Sequence, residues 1–565
     1  MVRKLSNFDD WIDYFRYWQD SIGLPQGELR NFQFDAKFGD PEVPHIEFGH
    51  YRGQRKWPSV MHIPDQRIRD ALLNLIVYQG DTEFASVEQQ RNLLGHAPTD
   101  YDLLALMRVM TEEMRHGWQM SYLLCAHFGD EGKREAAKLL ERRADDGERL
   151  LGSFNEIVAT WLDFFTYTQF IDRDGKFQLK MLSVSAFDPL SRSMGPMLKE
   201  ESFHLGTGNN GLLRIVKAGK MPAETIQRFF YKWVPTAFDL FGNDNSSSAH
   251  WAYVWGLKGR YDERENAQEP DKAKLNEYAR ELYRQEIVKL VERLNMFIPE
   301  RERWLKVPEL KFNRKIGVYA HQMYTVDGEP IDSKERYAAY LKTVLPQARD
   351  YEVENSLAAF RAAARLGADG VELDVHATAD GTPVVHHDET IGGTHHIPHL
   401  SARQLQGFRL ANGEPIPTLA QALDAAGRTL QVFVEVKSLA PQFDGRLLEV
   451  LDRGPNPAGY AVHSFDHRIV RRLGQARPSL PRGVLSSAYP VRPLAALEDA
   501  GATTLWQERT MVDRALVEAM HAAGHRIVAW TVDEPEDMRR LIGLAVDGIC
   551  TNFPDLGRRA IEAAA

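Results

Sequence analysis

Along the first 300 or so residues, apolar positions recur at helical spacing, as in Leu103, Leu104, Met107, Val109 and Met110. The pattern predicts long amphipathic helices over roughly 67–94, 100–128, 131–170, 176–206, 222–240 and 271–296. Strand-like alternation is scarce there. After residue 350 the pattern changes. Short β-rich runs alternate with Ala/Leu/Arg-rich helical stretches: VELDV (371–375), LQVFVEVK (430–437), GYAVHSF (459–465), RGVLSS (482–487), TTLWQE (503–508), RIVAWTV (526–532) and DGICTN (547–552). Such a βαβ series implies a parallel sheet or barrel. Seven runs stand where a closed barrel needs eight, and the shortage is at the front.

A chain of 565 residues is too long for one ordinary core, so two domains are expected, 1–350 and 351–565. Nine of the 11 Trp lie between Trp11 and Trp304, which sharpens the division. No low-complexity linker or solenoid repeat marks the junction. The net charge of -10 argues against a nucleic-acid partner and against attachment to anionic membranes. Cys125 and Cys550 cannot make a disulfide framework and fit a reducing compartment, each as a small core residue. The N-terminus lacks the apolar region of a secretory signal, and no run is long enough to span a membrane, so the cytoplasm is the expected location.

Candidate chemistry in the helical part begins with Glu-x-x-His, which places both side chains on one helix face one turn apart. Di-iron carboxylate proteins use two such motifs plus a carboxylate from each of two further helices. Carboxylates bridge the irons, and imidazoles serve as neutral donors. The motif occurs five times here: Glu42/His45, Glu47/His50, Glu113/His116, Glu201/His204 and Glu518/His521. Two filters separate them: a long helix around the motif, and a carboxylate about 30 residues upstream on the preceding helix. Glu42 and Glu47 lie in a Pro/Gly-containing stretch, and Glu518 has Ala488 at the upstream position. Glu113 has Glu83, and Glu201 has Asp172. The surviving motifs, TEEMRH (111–116) and KEESFH (199–204), also share a Glu doublet. The candidate ligands are Glu83, Glu113, His116, Asp172, Glu201 and His204, in a ferritin-like bundle holding two iron ions. Asp174 rivals Asp172, and Glu88 is a weaker rival to Glu83. The bland alternative is a set of surface acids and core histidines at coincidental spacing.

The segments YQGDTEFASVEQQ (78–90), EEMRHGWQMSYLL (112–124), DRDGKFQL (172–179), FDPLSRSMGPMLKEESFHLGTGNNG (187–211) and KGRYDE (258–263) resemble the oxygenase components of the benzoyl-CoA and phenylacetyl-CoA epoxidase family. The resemblance covers about residues 1–350. It implies an aromatic acyl-CoA substrate, dioxygen, and electrons from a separate NADPH-dependent reductase, with one oxygen atom inserted into the ring to give an epoxide. The small-residue stretch GNDNSSSAH (242–250) is a candidate substrate entrance or a solvated loop. Lys258 and Arg260 are candidate contacts for CoA phosphates or ordinary surface charge.

In the later part, Glu372 and Asp374 in VELDV and Glu435 in FVEVK stand near probable strand ends, where a parallel barrel keeps its catalytic face. Alternate strand positions point the same way, which pairs Glu372 with Asp374. Glu354 is a fourth acid. Clustered carboxylates suit a hard cation such as Mg²⁺ or Ca²⁺. His387 is placed to protonate a leaving alkoxide. The pieces ENSLAAF (354–360), GADGVELDVHATADGTPVVHHD (367–388), IPTL (416–419), VEVK (434–437), HSFD (463–466), AWTVD (529–533) and DGICTNFPD (547–555) resemble the glycerophosphodiester phosphodiesterase family. The resemblance implies Glu354, Glu372, Asp374 and Glu435 as metal ligands, His387 as one of two catalytic histidines, and Lys437 as a phosphate contact. It also implies a metal-assisted hydrolysis of glycerophosphodiesters.

One departure stands out. The family carries His-Arg-Gly at the end of its first strand, whereas LPQARDYEVEN (345–355) has neither His nor Gly. The missing motif coincides with the missing eighth strand. His321 is too far upstream, and His386 is a substitute only in principle. Loss of one of two catalytic groups costs several orders of magnitude in rate. The expectation is therefore an aromatic acyl-CoA epoxidase followed by an incomplete TIM-type barrel. The alternatives are a phosphodiesterase with a helical extension, and a scaffold in which neither site is intact.

Overall fold

The computed structural model describes residues 5–24, 27–40, 43–95, 97–264, 275–313, 322–347, 352–391, 395–410, 412 and 414–564. Glu42, residues 271–274, His321 and residues 348–351 lie outside them. The chain divides into two compact units, Met1–Gln347 and Ala348–Ala565.

The first unit is all-helical and ferritin-like. A short helix α1 (Phe8–Ser21) precedes the long helices α2 (Gln66–Gln90), α3 (Asp100–His127), α5 (Trp161–Leu182) and α6 (Asp188–Ala218), with α4 (Gly129–Glu141) between them. Four more follow: α7 (Ala223–Leu240), α8 (Ser247–Val254), α9 (Leu275–Asn295) and α10 (Lys334–Val344). The chief packing pairs are α2 with α3 and α5 with α6, and α3 also meets α6. Helix α1 was not foreseen from the pattern. Its Trp11, Phe15 and Trp18 are fully buried and gather around Phe84 of α2. Burial of side chains this size contributes about 1.5–3 kcal/mol each.

The stretch expected as one helix over 131–170 is two helices. α4 stops at Glu141, and the chain turns at Gly147, whose φ is +74°. A capping box then starts α5: Thr160 Oγ1 accepts from the Asp163 amide (3.1 Å), and Asp163 Oδ2 accepts from the Thr160 amide (3.3 Å). The break expected near 170–176 also moves. Gly175 lies inside α5, and α6 begins only at Asp188, with proline in its first turn.

The second unit is built on one eight-stranded sheet. Seven strands are parallel: β1 (Gly370–Ala377), β5 (Gln431–Ser438), β6 (Tyr460–Ser464), β7 (Arg482–Ser486), β8 (Thr504–Glu508), β9 (Arg526–Trp530) and β10 (Gly548–Ile549). They are the seven runs read from the sequence. The eighth, β2 (Pro383–Val385), runs antiparallel to the end of β1. The hairpin β3 (Thr390–Ile391) and β4 (His395–His396) is a separate two-stranded sheet. The order β10-β9-β8-β7-β6-β5-β1-β2 leaves β10 and β1 unpaired with each other among the described residues, so the barrel is not closed there. The core under the sheet is Val/Leu/Ile-rich, as parallel strands require.

Two candidate metal centres

In the first unit, α2 supplies Glu83, α3 Glu113 and His116, α5 Asp172, and α6 Glu201 and His204. All six are buried. Two ligand triads form, Glu83–Glu113–His116 and Glu113–Asp172–His204, and Glu113 belongs to both. His116 Nδ1 lies 3.3 Å from Glu83 Oε2 and 3.7 Å from Glu201 Oε1. His204 Nδ1 lies 3.4 Å from Glu113 Oε1, 3.5 Å from Glu201 Oε2 and 3.9 Å from Asp172 Oδ2. Glu201 therefore sits between the two imidazoles, whose ring centroids are 6.1 Å apart.

The charge balance separates this cluster from other buried acids of the same helices. Asp81 and Glu88 on α2 both face Arg149, at 3.1 and 2.9 Å. No Lys or Arg among the described residues pairs with Glu83, Glu113, Asp172 or Glu201. Leaving carboxylates buried without cations costs several kcal/mol per ion. Burial pushes the Glu113 carboxyl well above its usual range, and neighbouring Glu83 adds to the push. Burial likewise raises Asp172 against the pull of His204. Burial opposes charge on His204 too, yet Glu201, Glu112 and Asp172 together outweigh it and hold the imidazole well above its ordinary value. Asp172 Oδ2, Glu201 Oε2 and His204 Nδ1 are buried without a hydrogen-bond partner. Four carboxylates, two imidazole nitrogens and no thiolate make a donor set that fits two iron ions.

The rivals lie elsewhere. Glu88 also accepts from Trp18 Nε1 (3.1 Å) and the Ala144 amide (2.9 Å). Asp174 accepts from Gln178 Nε2 (2.9 Å), and burial pushes it up to about 7. Glu47 is held by Arg264, and His521 by Asp547 at 3.0 Å, and neither belongs to a triad.

A cavity of about 720 Å³ opens onto Glu83, Glu113, Asp172 and Glu201. Gly242, Asn243 and Ser246–Ala249 line it, so the GNDNSSSAH stretch is part of its wall rather than a solvated loop alone. Lys258 lines it as well and donates to Gln178 Oε1 (2.7 Å) and Asn276 Oδ1 (3.4 Å). Burial draws its pKa down, against the pull of Asp174. Arg260 is instead paired with Asp262 at 2.9 Å and is not part of this lining.

In the second unit, strand register does the positioning. Asp374, Glu435 and His463 fall in one row across β1, β5 and β6. Glu372, two residues before Asp374, shares its face. Glu372, Glu435 and His463 converge as a ligand triad. His463 Nε2 is 3.5 Å from Glu372 Oε1, and the ring stacks on Trp506 at 4.3 Å between centroids. Burial draws the His463 pKa down to about 4, so the imidazole is a neutral donor. Its Nδ1 and Glu372 Oε1 are buried without partners, and the oxygen-rich set fits a hard divalent cation.

His463 was not singled out from the sequence; its signal is that HSF ends the strand next to FVEVK. Asp374 is clamped by Asn355, whose Nδ2 donates to Oδ2 (2.8 Å) and whose Oδ1 accepts from the Asp374 amide (3.1 Å). Asn355 adopts φ +59° to do so. Lys437 Nζ lies 3.0 Å from Asp374 and 2.8 Å from Glu435, so here it neutralises acids rather than standing free for a phosphate. Glu354 and His387 are exposed, and both act electrostatically on Glu372. His387 Nδ1 is 2.8 Å from Asp388 Oδ1. His386 is buried, and its Nδ1 meets the Asp388 carbonyl (2.8 Å).

Residues 61–348 match the family described as Phenylacetic acid catabolic protein, and residues 338–556 the Glycerophosphoryl diester phosphodiesterase family. Benzoyl-CoA oxygenase component B of Aromatoleum evansii is 37% identical over 337 residues, covering 51% of this chain and 70% of that protein. A glycerophosphodiester phosphodiesterase of Caldanaerobacter subterraneus is 34% identical over 218 residues, covering 36% of this chain and 89% of that protein. The chain belongs to both families. A probable glycerophosphodiester phosphodiesterase 2 of Mycobacterium tuberculosis is 31% identical over 228 residues, covering 37% of this chain and 85% of its own. The phenylacetic acid catabolic part thus carries the helical centre, and the phosphodiesterase part carries the strand-end centre. Among the described residues no helix is long and apolar enough to cross a membrane.

Proposed function

We propose that the first unit is a di-iron oxygenase that epoxidises the ring of an aromatic acyl-CoA of the benzoyl-CoA kind, in the cytoplasm. The observation that carries this is the pair of triads sharing Glu113, set without cationic partners against a large cavity. Glu83, Glu113, His116, Asp172, Glu201 and His204 would hold the metals, and Glu113 is the residue common to both triads. The iron pair supplies dioxygen activation, with electrons from a separate NADPH-dependent reductase. The cavity wall holds the aryl group against the cluster and keeps water from it. Lys258 offers a hydrogen bond to the acyl carbonyl from the same wall. Metal analysis and the absorption spectrum of the full-length chain test the reading. It expects about two irons per chain and an epoxide formed from benzoyl-CoA with dioxygen and reductant. Aerobically purified protein without iron, and unable to take it up, would sink it.

A second reading applies to the other unit, favoured by the convergence of Glu372, Glu435 and His463. Glu354, Glu372, Asp374 and Glu435, with His463 beside them, would hold Mg²⁺ or Ca²⁺, which would supply Lewis-acid activation of the phosphate; Lys437 would contact the phosphate and His387 would protonate the leaving alkoxide. The absent His-Arg-Gly leaves a single catalytic histidine, so glycerophosphodiesters bind here and are hydrolysed slowly. Cation-dependent release of glycerol 3-phosphate, lost in His387→Ala, is the measurement that decides it.

A further inference from the structure

Both surviving motifs carry an extra glutamate just before the ligand position, Glu112 on α3 and Glu200 on α6. Neither belongs to a triad. Their carboxylates lie on the outer side of the histidines, and the pairing is crossed. His116 on α3 directs Nε2 to Glu200 Oε2 at 2.9 Å, and His204 on α6 directs Nε2 to Glu112 Oε2 at 3.1 Å. Each outer carboxylate is anchored in turn. Arg115 grips Glu200 through Nε, 3.0 Å from Oε1 and 2.7 Å from Oε2, and its Nη2 closes on Oε2 as well. Arg108 Nε donates to Glu112 Oε1 at 2.9 Å, with its guanidinium 3.8 Å from the centre of the Phe203 ring.

The crossing has a chemical consequence. An imidazole that donates Nε2–H outward keeps the Nδ1 lone pair for the inside, where Nδ1 of both rings faces the ligand carboxylates. An anionic acceptor also makes the ring a stronger donor to a metal. We propose that Glu112 and Glu200 are positioning residues of the two-metal centre, each fixing the orientation and tautomer of the histidine on the opposite helix. The doublets in TEEMRH and KEESFH then have a division of labour: the second glutamate faces the metals, and the first braces the partner helix's histidine. This rests on the two-metal reading above.

The experiment uses the full chain, freed of metal and titrated with Co²⁺, with Glu112→Gln, Glu200→Gln and the double variant beside the wild type. Glutamine keeps the shape and removes the charge. Each single variant weakens one of the two Co²⁺ sites by about 10–100-fold, and the double variant weakens both. In the Co²⁺-loaded wild type, two solvent-exchangeable, hyperfine-shifted imidazole N–H protons appear; each single variant loses one or exchanges it much faster. A carboxylate that merely clamps α3 to α6 would lower the melting temperature without touching either signal. Wild-type affinities and both N–H signals retained in every variant would overturn the positioning role alone. A wild-type chain that binds no metal would overturn the two-metal reading together with it.

Discussion

Glu113 of α3 reaches His204 of α6, its Oε1 3.4 Å from the imidazole Nδ1, while also standing in the triad of its own helix's His116. One carboxylate thus belongs to both halves of the cluster, whereas Glu83 and Asp172 belong to one triad each. The asymmetry predicts a graded response. Glu113→Ala leaves both metal positions short of a ligand, and iron content falls from about two per chain to near none. Glu83→Ala or Asp172→Ala removes a ligand from one position and leaves about one. Elemental analysis of the purified variants distinguishes the patterns. Equal loss in all three would mean that the positions fill only together.

The same crowding predicts opposite stability effects in the two metal states. Without metal, Glu113 is buried among Glu83, Asp172 and Glu201, and burial and like charge both disfavour its ionised form. Glu113→Gln relieves that conflict and raises the melting temperature of the metal-free chain, by an amount matching about 1–3 kcal/mol. With metal added, the wild type gains stability by mass action and the variant gains far less, so their order reverses. Thermal melts of the helical unit with and without Fe²⁺ under anaerobic conditions check both signs.

The strand-end centre predicts a weak hydrolase whose rate is limited by its single exposed histidine. With Mg²⁺ or Ca²⁺, glycerol 3-phosphate release from glycerophosphocholine is slower than in an intact family site by roughly three orders of magnitude or more. Glu435→Ala removes both the activity and the cation's effect on melting, because Glu435 joins the triad and also holds Lys437. A coupled assay for glycerol 3-phosphate measures the rate; turnover at the level of an intact relative would refute the one-histidine account.

Much of this was readable from the chain because the chemistry fixes spacings. Two ligands on one helix face must sit three or four residues apart, a spacing that Glu-x-x-His meets five times here; a long helix and an upstream carboxylate single out Glu113/His116 and Glu201/His204. Parallel strands buried on both faces must be short apolar runs, so all seven appeared in the pattern. Other features depend on tertiary context. Gly175 reads as a helix breaker, yet it sits inside α5 facing open space. Helix α1 buries only a narrow aromatic stripe among Asp9, Asp10 and Asp13, over a run of 14 residues too short to stand out. His463 enters its site through register with Glu435 on the neighbouring strand, a pairing that one strand alone does not reveal. The crossed Glu112 and Glu200 contacts likewise need two helices at once.

Cys125 provides a pH test independent of either centre. Burial pushes its thiol up to about 12, with Lys133 opposing weakly, and Cys550 is raised too. Only the thiolate reacts, so alkylation of the native chain near neutral pH is about a thousandfold slower than that of an ordinary thiol. A raised acid pKa also sets the direction with pH: the rate climbs about tenfold per unit across pH 7–10 without levelling. Mass spectrometry after timed iodoacetamide pulses, native and in urea, reads both. A native rate that levels near pH 8 or 9 would show an unperturbed thiol.

Gly175 allows the cavity to be tested apart from the metal ligands. A Cβ built there meets no atom within 4 Å, and the residue lines the cavity one position after Asp174 on the helix that carries Asp172. Gly117 and Gly211 are different, because a Cβ at either would collide with Phe84 or Phe165. Gly175→Ala therefore costs no packing and gains about 0.5–1 kcal/mol of helix stability, so the helical unit melts at a higher temperature. Gly175→Phe projects a ring into the space assigned to the aryl group while leaving the six ligands in place. Its iron content stays at the wild-type level, and epoxidation of benzoyl-CoA falls at least tenfold through a raised KM. A Gly175→Phe chain that keeps full activity would place the aryl group somewhere other than this cavity, and a chain that loses its iron would mean that the ring disturbs Asp172 instead.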